Sequence, residues 1–371
     1  MVRKMLAKEE SHPRYRSLVL TLMLLLGALS FLHARSSASD AIPVLCFHYF
    51  SNKADSADNL TDTYERFEIL TQYLSQNGYE SCFPAEIQQH DRRPEKPVIL
   101  TFDDGDKSQL RAARIMDRYG FKGLFFIIPA RTRDSTEKSF TKSEVLWLAE
   151  RGHRIGAHGY EHQSMVDSVR ELKRSLNESQ PFLKTLLGEK QKGVEDFAFP
   201  FGYYDDRTAE KMQQAFKFLY TVNPGYWDGT SVLIPRMLLS GRKDMEFYYH
   251  YLERSDDYRP ALAPVTRDGA KSDVVKLRRT DNIPADKIRL FSVSPDTSGT
   301  MYVSHPLGSS LQARDDTLII DLKTHLERCY APQRSAISYA LVQRTGDRIE
   351  YLSNGLLNWI EKEPGSEALY K

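Results

Sequence analysis

Two adjacent carboxylates, Asp103 and Asp104, end the stretch VILTFDD, and Gly105 follows them. The apolar residues before them predict a buried strand, and glycine permits the sharp turn that comes next. Like charges side by side repel, and at a buried strand end they are costly unless a positive group lies nearby. The pair therefore indicates either a solvent-exposed turn or a site that binds a cation.

Two histidines, His158 and His162, lie four residues apart in GAHGYEH. On one helical turn or in a tight loop, that spacing brings both imidazoles to one point. Two histidines and one carboxylate form a common ligand set for Zn²⁺ that leaves positions open for water and substrate. Such pairs also occur on surfaces by chance, so the metal site depends on a carboxylate being brought close. The zinc-protease pattern H-E-x-x-H is excluded, because Gly159 stands at the glutamate position.

Strand-like and helix-like segments alternate from residue 42 to about residue 222. This alternation predicts parallel strands with crossover helices, in an open sheet or a barrel. Chemistry in such folds gathers at the carboxyl ends of the strands. The two aspartates, His158 and Pro200 all follow predicted strands, and His48 follows the first one, IPVLCF.

Three motifs, TFDDG (101–105), HGYEH (158–162) and FAFPFG (197–202), occur in this order. Together they resemble the first three motifs of the polysaccharide deacetylase superfamily, the NodB-homology group or carbohydrate esterase family four. The resemblance covers about residues 42–250 and implies a distorted (β/α) barrel. It also implies metal-dependent removal of N-acetyl groups from chitin-like, peptidoglycan or biofilm glycans, or of O-acetyl groups from xylan.

The resemblance assigns roles to the motif residues. Asp103 would be the general base, and Asp104, His158 and His162 would hold a divalent ion. Zn²⁺ is the expected ion, with Co²⁺ or Ni²⁺ as alternatives. Family members usually carry Ser or Thr where this chain has Gly159.

Two catalytic groups of the family are missing from their usual places. The third motif often begins with an arginine that orients the base, but Ala198 stands there, and we predict that Arg236 in LIPRML replaces it. No convincing match to the Leu-x-x-His motif, the usual source of the general acid, follows Pro200. The segment PVLCFHYF (43–50) resembles the amino-terminal segment of biofilm poly-N-acetylglucosamine deacetylases, whose motifs are circularly permuted. His48 is therefore the predicted acid; the alternative is a structural histidine.

Aromatic residues near the third motif are candidates for stacking on sugar rings. The Pro200-Phe201-Gly202 loop, Tyr203 and Trp227 are the predicted substrate-binding residues. The alternative for the aromatic residues is packing in the core.

The first 38 residues have the composition of an export signal. Basic residues precede the apolar run 18–32, and small residues follow it up to Ala38. This pattern predicts a signal peptide and a periplasmic or extracellular protein; the alternative is an uncleaved anchor that holds the protein at the membrane. A deacetylase domain (39–254), a linker (255–275) and a β-rich domain of unknown role (276–371) are predicted to follow.

The overall composition narrows the function further. There are 51 basic and 50 acidic residues, a balance that gives no reason to expect nucleic acid as a partner. The three cysteines form no C-x-x-C pair. The sequence thus predicts an exported, metal-dependent hydrolase that cleaves the acetamido groups of an N-acetylglucosamine-containing glycan. The alternatives are an O-acetyl glycan esterase and a catalytically silent glycan-binding protein on the same scaffold.

Overall fold

The computed structural model describes residues 41–53, 60–89, 93–166, 168–204, 206–222, 225–239, 241 and 244–253, together with eight strands between 262 and 356. The predicted signal peptide and Cys329 lie outside the described residues. Within the described part of the chain, no helix combines the length and the apolar character needed to cross a membrane.

Ten strands form one mixed sheet that curls into a nearly closed barrel. Six of them are parallel neighbours in the order β1-β5-β6-β7-β8-β9. In addition, β4 pairs in parallel with β5, and β10 pairs antiparallel with β1. The strands are β1 (Ile42–Phe47), β4 (Tyr79–Ser81), β5 (Lys96–Phe102), β6 (Leu124–Ile127), β7 (Arg154–Ala157), β8 (Asp196–Ala198), β9 (Phe218–Tyr220) and β10 (Tyr226–Trp227).

One short segment brings the two sides of the sheet together. Its first half, β11 (Leu233–Ile234), pairs with β9, and its second half, β12 (Met237–Leu238), pairs with β1. Pro235 and Arg236 lie between the two halves. The side chain of Arg236 is therefore carried by the segment that nearly closes the barrel.

Helices connect the strands, as the alternation predicted. In α1, Phe67, Leu70 and Leu74 are buried, and the Thr63 side chain accepts a hydrogen bond from the backbone N–H of Arg66 at the amino end. The helices are α1 (Tyr64–Gln76), α2 (Pro84–Gln88), α3 (Gln109–Arg118), α4 (Pro129–Arg133), α5 (Lys142–Glu150), α6 (Val169–Arg174), α7 (Gln180–Leu187), α8 (Asp206–Met212) and α9 (Met245–Glu253); a π-helical turn, Ser175–Ser179, joins α6 to α7.

The strand side chains divide the apolar core into two clusters. In β1, Ile42 and Val44 belong to one cluster and Leu45 and Phe47 to the other, which is the two-residue period of a strand. The Phe102 ring stacks on its neighbours in the second cluster, with centroid distances of 5.2 Å to Phe47 and 4.6 Å to Phe125. This packing holds the ends of β1, β5 and β6 side by side.

The C-terminal strands form two antiparallel four-stranded sheets, β13-β14-β18-β17 and β16-β15-β19-β20. These strands agree with the β-rich C-terminal region that the sequence predicts, and the predicted fold class is confirmed. A further strand, β13, lies within the segment predicted to be a linker, and the domain boundaries stay a prediction. The remaining strands are β2 (Tyr49–Ser51), β3 (Thr61–Thr63), β13 (Leu262–Thr266), β14 (Val274–Arg279), β15 (Ile288–Asp296), β16 (Gly299–Pro306), β17 (Leu311–Arg314), β18 (Thr317–Asp321), β19 (Ala336–Thr345) and β20 (Arg348–Leu356).

A buried carboxyl at the start of β8 makes stability depend on pH. Burial raises the pKa of Asp196 to about 6, although Arg154 and a 2.8 Å hydrogen bond from the Tyr220 hydroxyl oppose the shift. The folded state therefore binds more protons than the unfolded state between about pH 4 and 6, so this group lowers stability as pH rises through that window.

We expect Asp196→Asn to remove this pH-dependent loss, because Asn still accepts the hydrogen bond from Tyr220. The free energy of unfolding at pH 7.5 should rise by roughly 2 kcal/mol, with little change at pH 4. Denaturant unfolding of both proteins at the two pH values measures the difference. An equal effect at both pH values would contradict the prediction.

Candidate active site

The strand register places His48 and Asp103 side by side. Phe47 and Phe102 are paired at the ends of β1 and β5, and the backbone N–H of Asp103 donates to the Phe47 carbonyl at 2.9 Å. His158 directly follows β7, which is also part of the parallel sheet. The candidate residues thus lie at the carboxyl ends of the parallel strands, as predicted.

Three of these residues form a possible metal-binding cluster. Asp104 Oδ1 lies 3.1 Å from His162 Nε2 and 3.6 Å from His158 Nε2. The Nδ1–H of His158 donates to the Ala198 carbonyl at 2.9 Å, which leaves the lone pair of Nε2 facing Asp104. Burial lowers the pKa of His158 to about 4, so the ring is neutral at pH 7, the form that binds metals.

The environment of Asp104 fits a divalent ion. Its Oδ2 accepts a hydrogen bond from the Tyr49 hydroxyl at 2.5 Å, whereas Oδ1 is buried without a hydrogen-bond partner in the described part of the chain. Zinc ligands at about 2.0–2.2 Å in a tetrahedron are roughly 3.3 Å apart, close to the two Asp104–histidine distances. An orphaned carboxylate oxygen facing two imidazoles is therefore suited to Zn²⁺ or a similar ion.

All three motifs contain backbone in the left-handed region. Of the four described non-glycine residues with positive φ, three belong to the motifs: Asp104 (73°), His162 (63°) and Phe201 (59°). Such conformations cost on the order of 1–3 kcal/mol each and persist where surrounding contacts enforce them, often at active sites. The loops are thus held in shape by their surroundings.

Asp103 forms a two-pronged ion pair with Arg236. Arg236 Nη1 and Nη2 lie 2.6 Å and 2.8 Å from the two carboxylate oxygens, and Arg236 Nε donates to the Thr221 carbonyl at 2.7 Å. Both partners are buried, with exposures of 1% for Asp103 and 0% for Arg236. Burial alone would raise the pKa of Asp103, but Arg236 and then His158 outweigh it and lower the pKa to about 2.

His48 lies beside this ion pair, with Nε2 3.8 Å from Asp103 Oδ2 and 12% of its side chain exposed. Its Nδ1 is buried and has no hydrogen-bond partner among the described residues. The Gln109 amide donates to the backbone carbonyls of both His48 (2.6 Å) and Asp103 (2.5 Å). Gln109 therefore ties the two strand ends together.

Phe201 is the aromatic residue best placed to meet a substrate. It is 37% exposed, and its ring centroid lies 4.5 Å from that of His162. A cleft of about 630 Å³ opens on another side of the cluster. It is lined by polar and aromatic residues that include Tyr49, Asp104, Ser108 and Arg131.

The other predicted substrate-binding residues are less accessible. Pro200 and Gly202 are buried, and Tyr203, 7% exposed, lies with its ring 5.8 Å from that of Phe201. The structure does not bring Trp227 to the site, because it is fully buried and pairs with Ile42 at the opposite end of β1. Trp227 is therefore a core residue, which is the alternative that the sequence left open for these aromatic residues.

Sequence reasoning missed several residues that contact the cluster. Tyr49 holds Asp104, and its only signal was its position next to His48. The Cys46 thiol donates to Asp103 Oδ2 at 3.6 Å, and burial raises the pKa of this thiol well above its usual value, so it is neutral. Cys46 and Cys82 are free and buried.

Known proteins share the motifs and the fold. Residues 90–216 match the family model for polysaccharide deacetylase, which confirms the resemblance at the level of the family. The fold is similar to that of BC0361, a polysaccharide deacetylase from Bacillus cereus, with 21% identity, a TM-score of 0.52 and coverage of 57% of this chain and 69% of that chain. No curated protein has a significant match.

Two further solved structures are similar. The Streptococcus pyogenes deacetylase PplD, in complex with acetate, has 20% identity and a TM-score of 0.51 over 56% of this chain and 95% of that chain. IcaB from Ammonifex degensii has 21% identity and a TM-score of 0.49 over 59% of this chain and 98% of that chain. The circular permutation inferred from the position of His48 stays a prediction.

The buried ion pair can be tested by removing its cation. Arg236→Met leaves the Asp103 carboxylate buried without a counter-charge, and we expect the free energy of unfolding at pH 7 to fall by about 3–5 kcal/mol. Adding Asp103→Asn to this variant removes the unpaired charge and should recover much of the loss. Urea unfolding of the two single variants and the double variant gives the coupling energy. A loss below about 1 kcal/mol in Arg236→Met would contradict the assignment.

Proposed function

We propose that this chain, which carries a polysaccharide deacetylase domain, is a metal-dependent N-deacetylase of an N-acetylglucosamine-containing glycan. The observation that supports the proposal best is the adjacency of two differently partnered carboxylates. Asp104 faces two imidazoles, and Asp103 faces Arg236 and His48. A glycan-binding protein needs neither arrangement.

The ligands of the proposed ion are Asp104, His158 and His162. A divalent ion held by these residues would supply polarisation of the acetyl carbonyl and would lower the pKa of a bound water toward about 7. Tyr49 and the Ala198 carbonyl orient two of the ligands through their hydrogen bonds, which prepares the site before the ion arrives.

Asp103 acts as the general base for the attacking water. Its pKa of about 2 keeps it ionised at neutral pH, and Arg236 holds both carboxylate oxygens in a defined plane. A carboxylate with so low a pKa holds a proton only briefly. The proton is therefore passed on rather than stored.

His48 acts as the general acid for the leaving amine. An amine leaves poorly unless it is protonated, and an imidazolium is a suitable donor near neutral pH. The 3.8 Å separation between His48 Nε2 and Asp103 Oδ2 supports return of the proton from the base to the acid. One water thus supplies an oxygen of the acetate product and the proton that the leaving amine takes up.

The surroundings of the cluster support a polymeric sugar substrate. The exposed Phe201 ring offers an apolar face for a sugar ring, and the cleft beside Asp104 has room for neighbouring residues of a glycan. The N-acetylglucosamine polymers in question are biofilm exopolysaccharide, peptidoglycan and chitin-like glycans. The composition of residues 1–38 supports action outside the cytoplasm.

The test is amine release from N-acetylglucosamine oligomers by metal-stripped protein, before and after addition of Zn²⁺, Co²⁺ or Ni²⁺. We expect activity only after metal is added. Asp103→Asn and His48→Ala should each lower kcat by roughly 10²–10⁴-fold, the usual contribution of a general base or acid. Asp134→Asn, the same change at an exposed aspartate, is the matched control and should keep full activity.

An acetylated xylan assayed in parallel separates N- from O-deacetylation. Ester hydrolysis releases a sugar alkoxide, which depends less on protonation than an amine does, so His48→Ala should impair the amide reaction more. Activity on the ester alone would favour the esterase alternative. Metal binding without hydrolysis of either substrate would favour the silent glycan-binding alternative.

A further inference from the structure

The loop that carries His158 and His162 rests against a buried polar stripe on the following helix. Glu171, Ser175 and Ser179 are spaced four residues apart along α6 and the π-helical turn after it. All three are buried, with exposures of 1%, 0% and 0%. The buried face of a helix that packs on a barrel is normally apolar. Three buried polar residues on that face therefore indicate a specific role.

Glu171 binds the backbone between the two histidines. Its Oε1 accepts hydrogen bonds from the N–H groups of Tyr160 (2.6 Å) and Glu161 (3.0 Å), and Oε2 also accepts from Glu161 at 3.2 Å. The Ser175 hydroxyl donates to Oε1 at 3.2 Å. These donors satisfy the carboxylate, which forms no ion pair with any Lys or Arg in the described part of the chain.

The rest of the loop is held by two further hydrogen bonds. The Ser179 hydroxyl donates to the Gly159 carbonyl at 2.9 Å, and the backbone N–H of Ala130 donates to the Tyr160 carbonyl at 3.1 Å. π-Helical turns are rare and often occur at functional sites. Here the π-helical turn ends at Ser179, the residue that contacts Gly159.

The carboxylate also explains why glycine follows His158. Gly159 has φ = 69°, and a Cβ built there would lie 2.8 Å from Glu171 Oε1 and 2.8 Å from Pro200 Cγ. A Ser or Thr at this position would collide with both groups. In this chain the space beside the first histidine is occupied by the Glu171 carboxylate.

We infer that Glu171 is the positioning residue of the metal site: it sets the geometry of the His158–His162 loop and thereby the affinity for the ion. This inference rests on the proposed function. A buried carboxylate without a counter-charge is costly, and two of its contacts are the amides between the two metal ligands. The left-handed backbone at His162 (φ = 63°) is a costly conformation that persists where surrounding contacts enforce it.

The test is Zn²⁺ affinity, measured on the full-length protein by competition with a chromophoric chelator. Removing a group that orients metal ligands typically costs 10–100-fold in affinity, and we expect a loss of that size in Glu171→Ala. Glu171→Gln keeps an oxygen for the Tyr160 and Glu161 amides and should recover part of the loss. Gly159→Ser should weaken binding in the same way, by displacing the carboxylate.

Two variants control for general damage to the helix. Ser168→Ala removes the side chain that caps α6 by accepting from the Glu171 N–H, and Glu178→Gln removes an exposed carboxylate from the π-helical turn. Both should bind Zn²⁺ as the wild type does. Circular dichroism and urea unfolding establish that each variant is folded. If Glu171→Ala does not fold, Glu171→Gln and Ser179→Ala carry the test.

A second readout needs no metal. Hydrogen exchange of the Tyr160 and Glu161 amides in metal-free protein should speed up at least tenfold in Glu171→Ala but not in Ser168→Ala. Wild-type affinity in both Glu171 variants, or unchanged exchange at these amides, would overturn the inference alone. Failure of the wild-type protein to bind Zn²⁺ would overturn the proposed function as well.

Discussion

The arrangement of the site depends on one buried ion pair, between Asp103 at the end of β5 and Arg236 in the segment that nearly closes the barrel. The two residues are 133 positions apart, and neither is tolerable alone in the interior, because an unpaired buried charge costs several kcal/mol. The segment that nearly closes the barrel therefore also supplies the positive charge that stabilises the Asp103 carboxylate. The same contact fixes the plane of the carboxylate and keeps it ionised.

The adjacent carboxylates are compatible because they have different partners. Asp103 continues from its strand and meets Arg236, whereas the left-handed backbone at Asp104 directs the next side chain to the two imidazoles and Tyr49. Each carboxylate is thus surrounded by its own set of donors and positive groups. The set around Asp104 leaves its Oδ1 without a hydrogen-bond partner among the described residues.

The loops around this pair are held in shape by contacts with residues of the helices, rather than by the conformational preferences of their own residues. The Gln109 amide bridges the strand ends that carry His48 and Asp103, and Glu171 supports the backbone between the two histidines. Both are polar residues buried on helices. The barrel and its helices thus shape the site through a small number of hydrogen bonds to backbone groups.

The sequence by itself determined the alternation of strands and helices, and it indicated Asp103, Asp104, His158 and His162 as candidate site residues, whose roles stay a prediction. These features depend on short apolar runs and on motifs that span only a few residues, so they can be predicted from the local sequence. The resemblance led to the prediction that Arg236 orients Asp103, and the structure shows the two side chains in contact. Only the tertiary structure decided that Tyr49 and Glu171 hold the loops, and that Phe201 is exposed while Trp227 is buried. Those outcomes depend on how distant segments meet when the sheet curls, and no local pattern records which side chains will face each other.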